Sequence, residues 1–494
     1  MSLSKRLLGA CASLGCGLAL AQALPPEVIT ALVRAKVPLD AITLLVVDAG
    51  GKLPPRLSHR AHVPVNPASV MKLVTTYAAL DLLGPAYTWR TPVFVDGVVR
   101  DGTLFGNLYI KGQGDPKLVI ERLWLLLRRV QGLGIQSIVG DIVLDRSAFE
   151  AVVSDPGSFD GEPLRPYNTA PDALLLNFKS VVMTFVPHPS AHSAAVQFEP
   201  PLAGVQMQTS VPLIGDVETA CGDYRATLQP DFSDATRIRF DGAYPASCLE
   251  RVWSVAYVDP ASYGVRAVAG LWRELGGKLS GTVREGRVPE RAESPFDARP
   301  STIFAPAFEM RSPALAEIIR DVNKYSNNVM AQQLFLTLSL PTPVPNGNGD
   351  LVATGPAASL TASREVVRRW WVERIAPDGA PLLENGSGLS RVDRISAQAL
   401  ARLLQTAYRS PWMSELMSSL PIAGVDGTLK KRRTLAQSGA HLKTGSLRDV
   451  SAIAGYVDGA SGQRYVLVAI ANHPNAYAAH PAMEALIEWT ASEQ

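Results

Sequence analysis

From about Tyr87 to the 280s the chain is built of short apolar runs separated by Gly, Pro and Asp turns, whereas both flanking regions carry helical spacing. Thr103 to Lys111, Ile138 to Asp145 and Ala194 to Glu199 are strand-length runs of this kind, so a β-rich middle with few long helices is expected. In a chain of 494 residues such a change of texture is more than one core accommodates, and two or three domains are expected. With 47% hydrophobic and 19% charged residues the balance is that of a globular protein, neither disordered nor membrane-embedded.

Before the β-rich region, Ala41 to Val47 is a compact β-branched run ending at Asp48-Ala49-Gly50-Gly51, which reads as a buried strand and its turn. Asn66-Pro67 predicts a helix start, because Asn caps well and Pro suits the first helical position. Val70, Leu73, Val74, Tyr77 and Leu80 continue it at helical spacing, and Gly84-Pro85 ends it. After the β-rich region, Ser312-Pro313 repeats the start signal, and a second helix is expected after Ser326. Pro341 to Asp350 is a surface loop by composition, and Thr361 to Ile375 a further helix. Strands return at His441 to Thr444, Ser451 to Val457 and Tyr465 to Ala471, before a last helix from Pro481 to Thr490.

Residues 1–21 read as a secretory signal peptide. Lys5-Arg6 form the positive end, Leu7 to Leu20 the apolar stretch, and Ala19-Leu20-Ala21 the small-x-small site, with cleavage expected after Ala21. Pro25-Pro26 closes the apolar run below the ~20 residues that a membrane span needs, so no transmembrane helix is expected in the mature chain. A lipid-anchor reading at Leu8-Gly9-Ala10-Cys11 leaves a very short apolar run before the cysteine. The net charge of +2 comes from Lys5 and Arg6, so the mature chain is balanced and offers no field for nucleic acid or an anionic membrane. Cleavage leaves Cys221 and Cys248, which in an oxidising compartment read as one disulfide; two unpaired thiols are the alternative, and spacing does not exclude it.

Ser69-Val70-Met71-Lys72 places a hydroxyl and an amine three residues apart on one helix face. Serine is a poor nucleophile until a base takes its proton, and lysine serves as that base only when burial or a neighbouring cation lowers its pKa. A helix N-terminus also offers backbone N–H groups to a developing oxyanion. The tetrad alone decides little, since Ser2-Leu3-Ser4-Lys5 in the leader has the same spacing. Ser326-Asn327-Asn328, at the junction of two predicted helices, is the chain's one Ser-x-Asn; Ser326 can pass a proton and Asn328 can bind an amide. Helix capping by Ser326 and Asn327 is the plainer account and is compatible with function. Lys443-Thr444-Gly445, followed by Ser446 on a predicted strand, brings a cation and a hydroxyl that can hold a carboxylate, with a glycine that lets a ligand backbone approach.

Other chemistries lack their residues. There is no His-Glu-x-x-His, and Pro189 between His188 and His192 spoils a helical ligand pair, so no metal site is expected. Gly112 to Gly114 precedes Asp115-Pro116, a turn and not a dinucleotide-binding start, and no cofactor is implied. Trp370-Trp371 read as packing residues.

Ser-x-x-Lys on an early helix, Ser-x-Asn between helices and Lys-Thr-Gly on a late strand occur in the order found in penicillin-binding proteins and serine β-lactamases. The chain specifically resembles the class C, low-molecular-mass D-alanyl-D-alanine carboxypeptidase/endopeptidases. Lys111 to Leu118, Gly140 to Ser147, Ser312 to Asn328 and Gly386 to Arg391 (GSGLSR) are similar to segments of that family, from about Ile42 to the last strands. Asn327 departs from it, standing where an acidic residue is frequent, with little consequence expected.

The resemblance implies an α+β fold: a transpeptidase-like domain, an antiparallel sheet flanked by helices, carrying inserted β-rich domains. Residues 22–88 and 282–494 would form the transpeptidase-like domain and 89–281 the insertion, two domains by that likeness. It implies a periplasmic serine enzyme that cleaves D-Ala-D-Ala and cross-link bonds in peptidoglycan stem peptides and is acylated by β-lactams. Ser69 would be the nucleophile, Lys72 the base, Ser326 the proton relay and Asn328 the amide ligand; Lys443 and Thr444 would hold the terminal carboxylate. Backbone N–H groups of Ser69 and Ser446, beside Gly445, would form the oxyanion hole. The Ser326–Lys443 pair is an equally defensible base. A serine β-lactamase shares the motifs without needing the long insertion, and a non-catalytic β-lactam-binding wall protein is the non-enzyme alternative.

Overall fold

The computed structural model describes residues 23–218, 220–290, 304–341, 344–345, 351–352, 355–432, 436 and 439–493. The expected signal peptide, with Cys11 and Cys16, lies outside the described residues.

The fold is α+β. One antiparallel sheet of five strands runs in the order Leu57–His59, Ile42–Asp48, Arg464–Asn472, Val450–Asp458, Ala440–Leu447. Every residue of Ile42–Asp48 is buried, and its side chains alternate between two cores. Leu45 and Val47 join one cluster with Leu73, Tyr77, Ile318 and Leu404, under the helices Lys72–Leu83, Leu315–Lys324 and Ala397–Arg409. Leu44 and Val46 join the other, with Val28 and Leu32 of helix Pro26–Ala35 and Leu486 of helix His480–Ser492. Burial on both faces is why the sequence here is a continuous apolar run and not an alternating one.

A third core fills the middle of the chain. It contains a mixed sheet in the order Val283–Glu285, Ile142–Asp145, Leu108–Lys111, Arg90–Val95, Phe308–Arg311, and a second in the order Tyr244–Pro245, Ser210–Ile214, Ser193–Glu199, Ser180–His188, Arg251–Ala256. The edge strand Phe308–Arg311 returns the chain to Arg90–Val95, so entry to and exit from this region are hydrogen-bonded neighbours. Two full helices, Ile120–Gly132 and Tyr263–Glu274, pack into the same core through residues such as Leu123, Leu127, Ala267 and Leu271. Cys221 and Cys248 form a disulfide here.

Three local expectations shift. The Ser312 hydroxyl accepts from the Trp89 amide and donates to the Pro313 carbonyl, so the helix begins only at Leu315. The helix expected from Thr361 starts at Leu360, capped by the Ser359 hydroxyl on the Ala362 amide. Within the proline-rich loop, Val344–Pro345 pairs with Leu351–Val352. Among the described residues no helix is long and apolar enough to cross a membrane.

The middle region is tied to the helix Asn328–Thr337. Gln333 Nε2 donates to the Asp172 carbonyl at 2.8 Å and its Oε1 accepts from the Asp172 amide at 2.8 Å. The Asp172 carboxylate in turn holds Lys179 Nζ at 2.7 Å and Arg146 at 2.5 Å.

Candidate active site

Ser69 does not sit in the first α-turn of an Asn-capped helix. Ala68–Met71 form a 3-10 turn and the α-helix begins at Lys72. Asn66 is occupied otherwise: its Oδ1 accepts from the Ala68 amide in an Asx-turn, and its Nδ2 donates to the Ser390 carbonyl at 2.8 Å. Ala68 then takes φ +48°, a left-handed conformation that excludes α-helix at that point. Asn472, at the end of its sheet strand, clamps the turn by exchanging two hydrogen bonds with the Asn66 backbone.

Two glycines let other segments close on this turn. A Cβ at Gly388, where φ is +76°, would stand 2.0 Å from the Ala68 carbonyl oxygen and 2.9 Å from Ser69 Cα. One at Gly445 would stand 2.5 Å from the Pro67 oxygen and 3.0 Å from the Ser69 amide. Gly388→Ala is therefore expected to push the Ser69 turn aside. A displacement near 1 Å costs about 100-fold in rate, so slowed penicillin acylation with a cooperative thermal melt is the result that checks this constraint.

Lys72 is completely buried and its Nζ has three neighbours: Ser69 Oγ at 2.8 Å, Asn328 Oδ1 at 2.6 Å and the Ser387 carbonyl at 2.5 Å. Burial, reinforced by the nearby Lys443 cation and opposed by Asp393, holds its pKa well below the ordinary lysine value. In the neutral amine two N–H bonds satisfy Asn328 Oδ1 and the Ser387 oxygen, and the lone pair is left facing Ser69 Oγ.

Lys443, on the strand Ala440–Leu447, is also fully buried, and burial lowers its pKa to about 7. Its Nζ donates to Ser326 Oγ at 2.9 Å and to the Thr444 carbonyl at 2.7 Å. Ser326 has φ +57° and does not cap a helix. Asn327 does, through Oδ1 on the Met330 amide at 3.0 Å. An Asn serves this cap as well as an Asp would, which gives the departure at position 327 its physical reason. Asn328 is the first helical residue and meets Lys72, while Ser326, before the helix, meets Lys443. Asn328 Nδ2 lies 3.5 Å from the Tyr167 carbonyl of the middle region.

Ser69, Ser326, Asn328 and Ser446 line one cleft of about 1360 Å³, walled on its far side by Phe159 and Tyr167 of the middle region. The Arg391 guanidinium lies 4.6 Å from the Phe159 ring centre across it. Seven of the eight site positions read from the motifs thus meet around the Ser69 turn, Gly445 as a close backbone approach, while the Thr444 hydroxyl lies against Thr428 Oγ1 at 2.7 Å. Sequence reasoning missed Ser387, whose contribution is a carbonyl, and Asp393. The latter is buried and accepts the Glu384 amide at 2.7 Å through Oδ1. Burial raises its pKa to about 6, against the lowering effect of the Glu384 amide.

A serine hydroxyl set against a buried, pKa-lowered lysine amine is the pairing that a serine hydrolase needs. The chain belongs to the D-Ala-D-Ala carboxypeptidase 3 (S13) family, whose profile matches residues 36–493, so the resemblance read from the motifs is borne out. It is 30% identical over 412 residues to the D-alanyl-D-alanine carboxypeptidase of Actinomadura sp. (strain R39), covering 80% of this chain and 71% of the relative. To D-alanyl-D-alanine carboxypeptidase DacB of Haemophilus influenzae it is 25% identical over 419 residues, 82% of this chain and 80% of that one. The crystal structure of penicillin binding protein 4 from Haemophilus influenzae shares the fold with a TM-score of 0.69 at 21% identity, over 93% of this chain and 99% of that one.

Proposed function

We propose that this chain is an exported serine DD-peptidase that cleaves D-Ala-D-Ala, and D-Ala cross-links to a diamino acid, in peptidoglycan stem peptides through an acyl-enzyme on Ser69. The observation that carries the reading is Ser69 Oγ 2.8 Å from the buried Lys72 amine, in a cleft that also holds the Ser326–Lys443 pair. Lys72 takes the Ser69 proton as Oγ attacks the penultimate D-Ala carbonyl. Lys72 is preferred to the Ser326–Lys443 pair as base because it alone contacts the nucleophile.

The tetrahedral oxyanion forms beside the Ser69 and Ser446 amides, where one lost donor costs ~100–1,000-fold. As the C–N bond breaks, the proton that Lys72 took from Ser69 is returned to the leaving D-Ala nitrogen by way of Ser326, which leaves Lys72 neutral again and Lys443 charged. Asn328 faces the substrate amide, and Lys443 with Thr444 takes the terminal carboxylate. Water then cleaves the ester and restores Ser69. A β-lactam carries a strained amide and a carboxylate in similar places, so it acylates Ser69 and leaves slowly. Family membership and the leader at residues 1–21, cleaved after Ala21, support a periplasmic site of action.

Digestion of purified muropeptides followed by mass analysis tests the assignment. Loss of one D-Ala from pentapeptides, or conversion of cross-linked dimers to monomers, is expected; unchanged muropeptides reject it. Nitrocefin separates the lactamase reading: a stoichiometric burst that stalls is expected, and sustained turnover counts against a peptidase.

A further inference from the structure

We infer that Thr428, outside all three motifs, is a positioning residue that commits the single Thr444 hydroxyl proton to the carboxylate of the leaving residue, and so makes the site selective for a leaving residue whose carboxylate is free. The inference rests on the reading that Lys443 and Thr444 bind that carboxylate.

Thr428 Oγ1 lies 2.7 Å from Thr444 Oγ1, and among the described residues neither hydroxyl has another hydrogen-bond partner. A hydroxyl has one proton to give and can accept besides. Either threonine can be the donor of this bond. A carboxylate accepts only, so when one arrives Thr444 must point its proton at it. The Thr444 oxygen is then free to accept, and the Thr428 proton fills that place. A donor at 428 therefore favours the one arrangement in which Thr444 donates to the ligand, and the two hydroxyls polarise each other in that direction.

Thr428 is held for this task. It sits in the short turn Gly427–Leu429, between a buried Leu429 and the preceding Asp426. Asp426 takes Lys324 Nζ at 2.6 Å through Oδ2 and the Ile422 amide at 2.9 Å through Oδ1. Lys324 is itself buried and lies two residues before Ser326. Gly427, at φ +57°, allows close contact with the end of the same helix: a Cβ there would stand 2.6 Å from the Lys324 carbonyl oxygen. One turn thus braces the Ser326 side of the cleft from behind and delivers a hydroxyl to the Thr444 side.

The test compares Thr428→Val, which keeps the shape, with Thr428→Ser, which keeps the hydroxyl. Each is assayed on a peptide ending in D-Ala-D-Ala with a free carboxylate and on its C-terminal amide. A hydrogen bond between two neutral groups is worth about 2- to 10-fold. Thr428→Val is expected to lower the carboxylate-to-amide ratio of kcat/KM by that factor, chiefly through KM, and Thr428→Ser to restore it. Equal losses on both substrates, a loss Ser does not repair, or an unchanged ratio overturns the inference while leaving the peptidase reading intact. A wild-type protein that releases D-Ala but does not prefer the carboxylate removes carboxylate recognition, and this role of Thr428 with it. One that cleaves neither peptide sinks the peptidase reading itself, and the inference falls with it.

Discussion

Ser69→Ala is expected to show no covalent adduct after exposure to penicillin, by intact-protein mass spectrometry, and to release D-Ala on the order of 10⁴-fold or more slowly than the parent. The size of the loss follows from the step removed. Without Oγ there is no acyl-enzyme, and the remaining groups can only orient substrate and steady charge. The substitution is structurally mild: Ser69 is half-buried, its hydroxyl has one side-chain partner among the described residues, and Lys72 keeps Asn328 Oδ1 and the Ser387 carbonyl. A change in folding free energy of about 1 kcal/mol or less is expected, so a normal melting curve accompanies the lost adduct. An adduct of unchanged yield on Ser69→Ala would move the nucleophile to another hydroxyl of the cleft, Ser326 or Ser446.

The Ser69–Lys72 pairing was legible in the sequence for a reason that outlasts an error in its setting. An α-helix was expected from Asn66, and the Ser69 turn is 3-10. Residues three apart are neighbours in an α-helix and eclipsed in a 3-10 helix, so the contact holds in either. The strand at Ile42–Asp48 was legible because both of its faces are buried, which writes a continuous apolar run. The helices Ile120–Gly132 and Tyr263–Glu274 were not singled out, because each is amphipathic and set among strands with their own apolar residues. The second circle of the site left still less trace. Ser387 acts through a carbonyl that every residue has, Asp393 is a lone carboxylate in a loop, and Thr428 acquires its role only from a strand packed beside it. Motifs record the groups that touch substrate; the groups that tune them depend on tertiary contact.

That tuning gives the second large expectation, read from the pH dependence of penicillin acylation. General-base help is worth about 100- to 10,000-fold, and Lys72 supplies it only when neutral. The rate is therefore expected to fall as pH drops through the lowered Lys72 pKa. On the other side, Lys443 must carry its charge to hold a carboxylate, and burial brings its pKa to about 7, so binding weakens as pH rises past that value. The neighbours shift the acid limb in opposite directions. Lys443→Met removes a cation that disfavours protonated Lys72, so the Lys72 pKa rises and the limb moves to higher pH, while the alkaline limb disappears. Asp393→Asn removes an anion that favours protonated Lys72, so the limb moves to lower pH. That second shift is expected only above about 6, where Asp393 is ionised. Stopped-flow acylation across pH 5 to 9 distinguishes electrostatic control from mere disruption. Disruption lowers the whole profile without moving its limbs, whereas a charge acting on Lys72 moves them, and the sign of the charge decides the direction. Two variants displacing the acid limb the same way would refute Lys72 as the titrating base.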